Sequence, residues 1–451
     1  DGVVSLDLFV GFRRKGQTPV FLGGFVDNVF DRGSGFLLPE PCIDSIQAVR
    51  QLTLLYSKLE LPTSDKRLTA AMRGFVETDN QVRENDALLN DADKARFRRM
   101  SLLLWRGVLS TVDNKLWKEQ EYVGGFDPQG PYVLPKHGPG ATADRLQGNL
   151  KFDLTRWHQR LEEVFPAREY LIPNGREDYV DALYDRLTLV APEDEQPVRV
   201  IAVPKTPKTP RIIAIEPSCM QYMQQGVSGL IIESIVNDSN IIAGAFIGFQ
   251  SQIANRRMAQ EGSLTGNLAT LDLSEASDRV SWQLVQEMVH RWPLTREALD
   301  VTRSRSADVQ GHGVIPLAKF ASMGSALTFP IEAMVFLTVA MLGIEQARGT
   351  LLNREDIISL LGQVIVYGDD IIVPTDYAPS VMQNLETFGL KVNRNKSFWT
   401  GKFRESCGRE YYAGHDVSVV KARKVLRRSD GTLSFPTSLK HVPETESFVS
   451  L

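Results

Sequence analysis

Apolar residues recur along this chain in two rhythms. Helical spacing marks "SIQAVRQLTLLYSKLEL" (Ser45 to Leu61) and "DADKARFRRMSLLLWRGVLSTV" (Asp91 to Val112), and polar turns separate such patterns up to about Gly124. The Gly/Pro-rich "GGFDPQGPYVLPKHGPGATAD" that follows predicts loop. "VRVIAVPKTPKTPRIIAIEP" (Val198 to Pro217) reads as two β-rich runs around a linker. Pro204, Pro207 and Pro210 forbid helix there and hold the linker extended. Beyond Gly248 the punctuation becomes regular. "GNLATLDLSEASDRVSWQLVQEMVHRW" predicts a strand from Leu268 to Leu273, a turn, and a helix from about Ser281 capped by small polar residues. "KFASMGSALTFPIEAMVFLTVAML" predicts a Gly/Ser loop feeding a helix, with Pro330 tolerated in its first turn. "QVIVYGDDIIVP" predicts a hairpin, "LKVNRNKSFWT" a strand and turn, and "KFRESCGREYYAGHDVSVV" a second β-rich unit. The mixture predicts an α+β fold, an antiparallel sheet backed by helices.

The composition is that of an ordinary globular protein: 451 residues, 43% hydrophobic and 24% charged, enough for two or three subdomains. The net charge of −4 excludes a globally basic nucleic-acid binder, so a polyanion would have to meet local basic patches. One such patch, Lys94, Arg96, Arg98 and Arg99, reads as a solvated helix face. Another, Lys205, Lys208 and Arg211 on the proline-stiffened linker, fits a polyanion-lining arm and a surface loop equally well when taken alone. Cys42, Cys219 and Cys407 form no C-x-x-C pair, which argues against a disulfide framework or zinc site and fits a reducing cytosol. The longest nearly apolar run, Ala333 to Ile344, lies between Glu332 and Glu345 and is too short to cross a bilayer, so no membrane partner is expected. The chain starts with Asp1, as expected of a fragment or an incompletely read gene.

The charge pattern poses one sharp problem. Asp369 and Asp370 stand between two β-branched apolar runs. A hairpin turn accepts Gly-Asp-Asp, but two neighbouring carboxylates repel, and burial makes each costlier. Tyr367 and the flanking Val and Ile residues offer them no polar partner. A hard divalent cation would, since Mg²⁺ prefers carboxylate oxygen. Asp272 ends the apolar strand "LATLDL", and Asp278 follows the Ser-rich turn. A strand-end acid and a hairpin-tip pair on neighbouring strands would converge, giving three carboxylates for two metals roughly 4 Å apart, an arrangement suited to in-line displacement at phosphorus. Such a site asks the protein for positioning and charge.

In this order, "DLSEASD", "SMGSALTFPIE", "YGDD" and "NRNKSF" resemble the first four palm motifs of template-dependent RNA polymerases, and "VPKTPKTPRIIAIEP" resembles their basic fingers motif. With "HGPGA" and "FRESCG..YY.G.DV" added, the chain resembles the replicase catalytic subunit of the single-stranded RNA phages, the leviviruses, over about Pro135 to Val420. The resemblance implies a right-hand polymerase: residues 1–247 mainly fingers with an N-terminal helical region, 248–420 an antiparallel-sheet palm, and 421–451 the start of a truncated thumb. It implies an RNA-directed RNA polymerase that replicates a positive-strand phage genome in the bacterial cytoplasm, by nucleotidyl transfer with two Mg²⁺ ions, Mn²⁺ being an alternative. Template RNA and ribonucleoside triphosphates are the implied substrates. The implied host partners are the elongation factors Tu and Ts and a small-subunit ribosomal protein.

By position, the resemblance makes Asp272, Asp369, Asp370 and the Leu273 carbonyl metal ligands. Lys205, Lys208 and Arg211 would meet the triphosphate and template backbone. Ser277 and Asp278 would lie at the ribose, and Ser322, Gly324 and Thr328 would form a close-approach loop. Lys396 would donate a proton to the pyrophosphate, against the simpler reading of a surface lysine. Glu332 stands where most viral RNA polymerases carry Asn, so either it or Asp278 is expected to be protonated or bridged by a hydroxyl. Three alternatives remain open at this point. A mitovirus- or narnavirus-type polymerase would share the palm. A reverse transcriptase would carry a bulky aromatic at Ser277 or Asp278. A non-catalytic RNA-binding palm would have lost acids that are all present here.

Overall fold

The computed structural model describes residues 9–123, 130–146, 148–171, 185–206, 209–237 and 242–423. Lys208 and most of the expected thumb segment lie outside them. The main helices are α1 (Ile43–Leu54), α2 (Asp65–Leu88), α3 (Asp91–Val123), α4 (Ser218–Val236), α5 (Ile253–Thr265), α6 (Trp282–Met288), α7 (Pro293–Thr302), α8 (Thr328–Arg348) and α9 (Ala378–Thr387). The strands that matter here are β1 (Val198–Val203), β2 (Arg211–Ile215), β3 (Leu268–Leu271), β4 (Leu273–Ser274), β5 (Ser306–Val309), β6 (Gly313–Pro316), β7 (Ile365–Tyr367), β8 (Asp370–Pro374) and β9 (Lys391–Val392).

Two sheets frame the molecule. In the first, β3 pairs antiparallel with β8, and β8 with β7. The far side of the β3–β4 strand is covered by Phe398 and β9. The expected single strand from Leu268 to Leu273 is therefore one extended path with a break at Asp272. In the second sheet the order is β6-β5-β1-β2, so residues 306–316 join the strands that flank the basic linker. β1 and β2 pair antiparallel from Arg199↔Ile215 to Val203↔Arg211, as the proline-punctuated sequence predicts. Residues 403–416 form a small three-stranded unit, again as predicted.

Helices fill the space behind the first sheet. α3 buries Phe97, Met100, Leu104, Trp105, Val108, Leu109, Val112 and Leu116 at three- and four-residue spacing, and Asp91 and Asp93 in its first turn complement the helix dipole. It extends past Val112, where the amphipathic signal fades into polar residues. α8 is the central rod. Every residue from Pro330 to Glu345 is buried, and Thr338 accepts a hydrogen bond from Trp105 at 2.8 Å. By length and composition α8 is able to cross a membrane, contrary to the sequence expectation, but here it is the core of a packed bundle. Truncating Trp105 to alanine would cost about 3–5 kcal/mol.

The basic stretch of α3 is not the solvated face that its charge suggested. Arg98 pairs with Glu287 of α6, Arg99 with Glu345 of α8, and Arg96 with Asp93 (3.0 Å) and Asn384 of α9 (3.2 Å). The helix lies against α6, α8 and α9, with Glu287 and Glu345 opposite its cations, so these pairs set how α3 seats on its neighbours.

A second, smaller core forms where α2 covers the β6-β5-β1-β2 sheet. Met72 and Phe75 of α2 pack there with Val198, Val200, Ala214, Ala307, Val309 and Leu317.

Candidate active site

The acids are brought together by strand register. Ile371 and Leu271 are the last pair of the β8–β3 ladder, so the residues next beyond them, Asp370 and Asp272, lie at the same end of it, close enough that the charge of Asp272 raises the Asp370 pKa. Asp369 sits exposed at the tip of the β7–β8 turn. Gly368 precedes it with φ +58°, and a Cβ there would come within 3.0 Å of the Phe329 ring, so the turn needs glycine.

The backbone of the acid-bearing strand is also set by alternation. Thr270 exchanges hydrogen bonds with Phe398, and the Asp272 carbonyl accepts from Asn393 N at 2.9 Å. Leu273 follows in β4, paired with Val392 of β9.

The carboxylates are poorly compensated. Burial raises the Asp272 pKa, as does the charge of Asp369; Lys396, 3.6 Å from Oδ1, and Asn393, donating to Oδ2 at 2.9 Å, act against this. Asp370 is pushed up to about 6, chiefly by burial and then by Asp369. It accepts from the Ser406 hydroxyl at 3.3 Å. The sequence expectation that no polar group accompanies Asp369 and Asp370 is corrected for Asp370, which Ser406 reaches from a segment distant in sequence; Asn393 and Lys396 likewise reach Asp272. Among the described residues no group of three acids, histidines or cysteines is drawn together tightly enough to hold a metal ion. The donor chemistry nevertheless fits a hard divalent cation: oxygen ligands only, with charge that burial and repulsion leave unneutralised. Asp272, Asp369, Asp370 and the Leu273 carbonyl are the groups that would hold it.

The second element of the site is a carboxylate with one oxygen committed. Asp278 lies in a 3₁₀ turn, Ser277–Arg279, with Ser277 buried beside it. It does not cap α6: Ser281 does, accepting from Leu284 N at 2.9 Å. Asp278 Oδ1 accepts from Lys319 Nζ at 3.1 Å and from Ser322 Oγ at 2.8 Å. Among the described residues nothing donates to Oδ2. The Ser322 carbonyl accepts from the Thr328 hydroxyl at 2.8 Å, which ties this loop to the start of α8. Gly324 takes φ +135°, and a Cβ on it would fall 2.0 Å from the Ala214 carbonyl oxygen. Ala214 N donates to the Met323 carbonyl at 2.9 Å, so the loop is sewn to β2 through the one residue type that permits the approach.

Glu332, one turn into α8, is buried, and its carboxyl is pushed up to about 8 by burial first, then by the charges of Asp369 and Asp278. Glu332 therefore holds its proton at neutral pH. Cations lie close to these acids. Lys205 keeps surface exposure yet is crowded enough that desolvation, with Arg211 and Lys396, holds its pKa down, while Asp369 and Asp272 act to raise it. Arg211 is exposed at the head of β2. Lys396 is half exposed.

The chain matches the family described as RNA replicase, beta-chain, over residues 185–439, which is more than half its length and includes every residue of this site. The chain belongs to the RNA replicase beta-chain family. Among the relatives of this replicase chain is the RNA-directed RNA polymerase beta chain of Enterobacteria phage fr, 37% identical over 227 residues, 50% of this chain and 38% of the relative. The RNA-directed RNA polymerase subunit beta of Enterobacteria phage SP is 30% identical over 367 residues, 79% of this chain and 57% of the relative. The replicase chain thus spans well under two thirds of the length of either relative. A solved RNA-dependent RNA polymerase of a human picorbirnavirus aligns with 50% of this chain and 46% of its own at 16% identity and a TM-score of 0.36.

Sequence reading missed several residues of the replicase site. Asn393 and Ser397, which brace Asp272, lie inside the quoted "NRNKSF" stretch, but polar residues in a turn carry no sign of their partner. Lys319 had one available signal, a lone cation in the apolar run "IPLAKFA".

Proposed function

We propose that this chain is an RNA-directed RNA polymerase that copies the positive-strand genome of an RNA phage. The observation that carries the proposal is the strand pairing that brings Asp370 and Asp272 to the same end of the β8–β3 ladder in a replicase-family chain, with Lys205 within electrostatic reach of Asp272 and Asp369 and Arg211 beside it. Residues 248–420 form the palm and the preceding chain mainly the fingers, with 306–316 crossing to the fingers sheet. Two Mg²⁺ ions, or Mn²⁺, held by the acids would supply a lowered pKa for the attacking hydroxyl and charge for the leaving pyrophosphate. The protein's own share is positional. Lys205 and Arg211 grip the triphosphate, Arg211 by a bidentate contact. Lys396 stands beside Asp272 and would give a proton to the departing pyrophosphate. Asp278 Oδ2 accepts the ribose hydroxyl, and protonated Glu332 adds a donor beside it. A reverse transcriptase would exclude ribose with an aromatic ring at this turn, where Ser277 and Asp278 stand instead. Template RNA and ribonucleoside triphosphates are the substrates, the bacterial cytoplasm the compartment, and the elongation factors Tu and Ts with a small-subunit ribosomal protein the partners. No membrane partner belongs to this reading.

The test incubates purified chain with RNA templates, the four ribonucleotides and Mg²⁺, with and without bacterial lysate. Incorporation is expected, and a gain from lysate reports the host partners. Asp369→Asn should abolish it, while the melting temperature in metal-free buffer holds or rises because repulsion is relieved. A variant that polymerises like the parent refutes the metal assignment.

A further inference from the structure

Lys319 has no exposed surface at all. Its backbone N–H donates to Asp79 at 3.2 Å, and its ammonium lies 3.6 Å from the centre of the Phe75 ring, both on α2. Arg279, the neighbour of Asp278, is held by the same helix through Gln81 at 2.8 Å. Among the described residues Asp278 is the one carboxylate within ion-pair reach of Lys319. An interior position that needed only filling would take an apolar residue, because a buried ammonium is costly and leaves few tolerable geometries. Here that cost fixes the partner: the Lys319 donor and the Ser322 donor both fall on Oδ1, so the carboxylate cannot rotate without abandoning one of them.

We propose that Lys319 is a positioning residue for sugar selection, locking Asp278 so that Oδ2 is presented to the 2′-hydroxyl of the incoming nucleotide. This rests on the reading of Asp278 as the ribose acceptor. It also gives α2 a function at the site, since Phe75 and Asp79 determine where the ammonium points. Without Lys319 the carboxylate keeps only the Ser322 contact and turns freely, so the hydroxyl meets an unaligned acceptor.

The test compares kcat/KM for a ribonucleotide with that for its deoxy counterpart in the parent, Lys319→Met, Asp278→Ala and the double variant. Methionine keeps the length and the contact with Phe75 but not the charge. Lys319→Met should lower the ribose preference roughly tenfold or more, mainly through a higher KM for the ribonucleotide, with deoxynucleotide constants unchanged. The double variant should lose no more preference than Asp278→Ala alone. A fold brace would depress both nucleotides alike and leave the ratio intact, which overturns the proposal. If Asp278→Ala lowers the ratio and Lys319→Met does not, the role of Lys319 falls and the sugar reading stands; if Asp278→Ala leaves the ratio unchanged, both fall. Should Lys319→Met fail to fold, Phe75→Leu removes the ring that sets where the ammonium points, so the Lys319 donor no longer holds Oδ1 in place. It must also lower the ratio, and an unchanged ratio overturns the proposal.

Discussion

Glu332→Gln should make this protein more stable at neutral and alkaline pH than its parent, and not at acid pH. Glu332 is buried, and its carboxyl titrates at about 8 rather than the ordinary 4.5, because burial and then Asp369 and Asp278 oppose its charge. The native state therefore holds a proton there that the unfolded state has released between those values. Stability falls with rising pH wherever the native state binds more protons. The contribution is neutral below 4.5, grows through the window, and reaches its full cost above about 8. At about 1.4 kcal/mol per pH unit the displacement bounds the cost at about 5 kcal/mol, and water penetration brings the expectation to about 2–5 kcal/mol. Glutamine has the same shape and no charge, so it removes this term and leaves the packing. The assay is urea unfolding of both proteins from pH 4.5 to 8.5 in chelator, since a bound cation beside Asp369 would lower the Glu332 pKa. The stability difference should climb across that range. A difference that stays flat with pH refutes the account of Glu332 as a protonated, buried group.

Two further outcomes follow from the loop and the arm. Gly324→Ala combines positive-φ strain, at about 1–3 kcal/mol, with a clash against the Ala214 carbonyl. A loss of about 2–5 kcal/mol on urea unfolding is expected, and a loss under 1 kcal/mol would mean that the loop is not held as described. Arg211→Ala should raise the apparent KM for a nucleotide at least tenfold with template affinity little changed. If template binding collapses while the nucleotide constant holds, Arg211 belongs to the RNA channel.

Much of this architecture can be read from local pattern. Alternation and proline spacing locate β1, β2, β7 and β8, and helical periodicity locates α3 and α8. The approach of Asp272 to Asp370 was legible because a strand-end acid and a hairpin acid on neighbouring strands have few other arrangements. What stayed hidden depends on partners remote in sequence. Arg98 and Arg99 looked solvated because their acids lie 189 and 246 residues away. The joining of 306–316 to the basic arm is a parallel pairing, β1 with β5, that no turn announces. The same is true of Lys319, whose meaning comes from Phe75 and Asp278 together. The break at Asp272 was likewise invisible, since it arises from two neighbours, β8 and β9, meeting one strand from opposite sides.

The single hydrogen bond from Ala214 to Met323 joins the strand that presents Arg211 to the loop that presents Ser322. On the proposed roles of Arg211 and Asp278, the phosphate and sugar ends of a nucleotide would be gripped by parts that are bonded to each other. A nucleotide seated badly at one end would then transmit its misfit to the other, and discrimination would be cooperative: the penalty for a wrong sugar would rise when the phosphates are well held and fade when they are not.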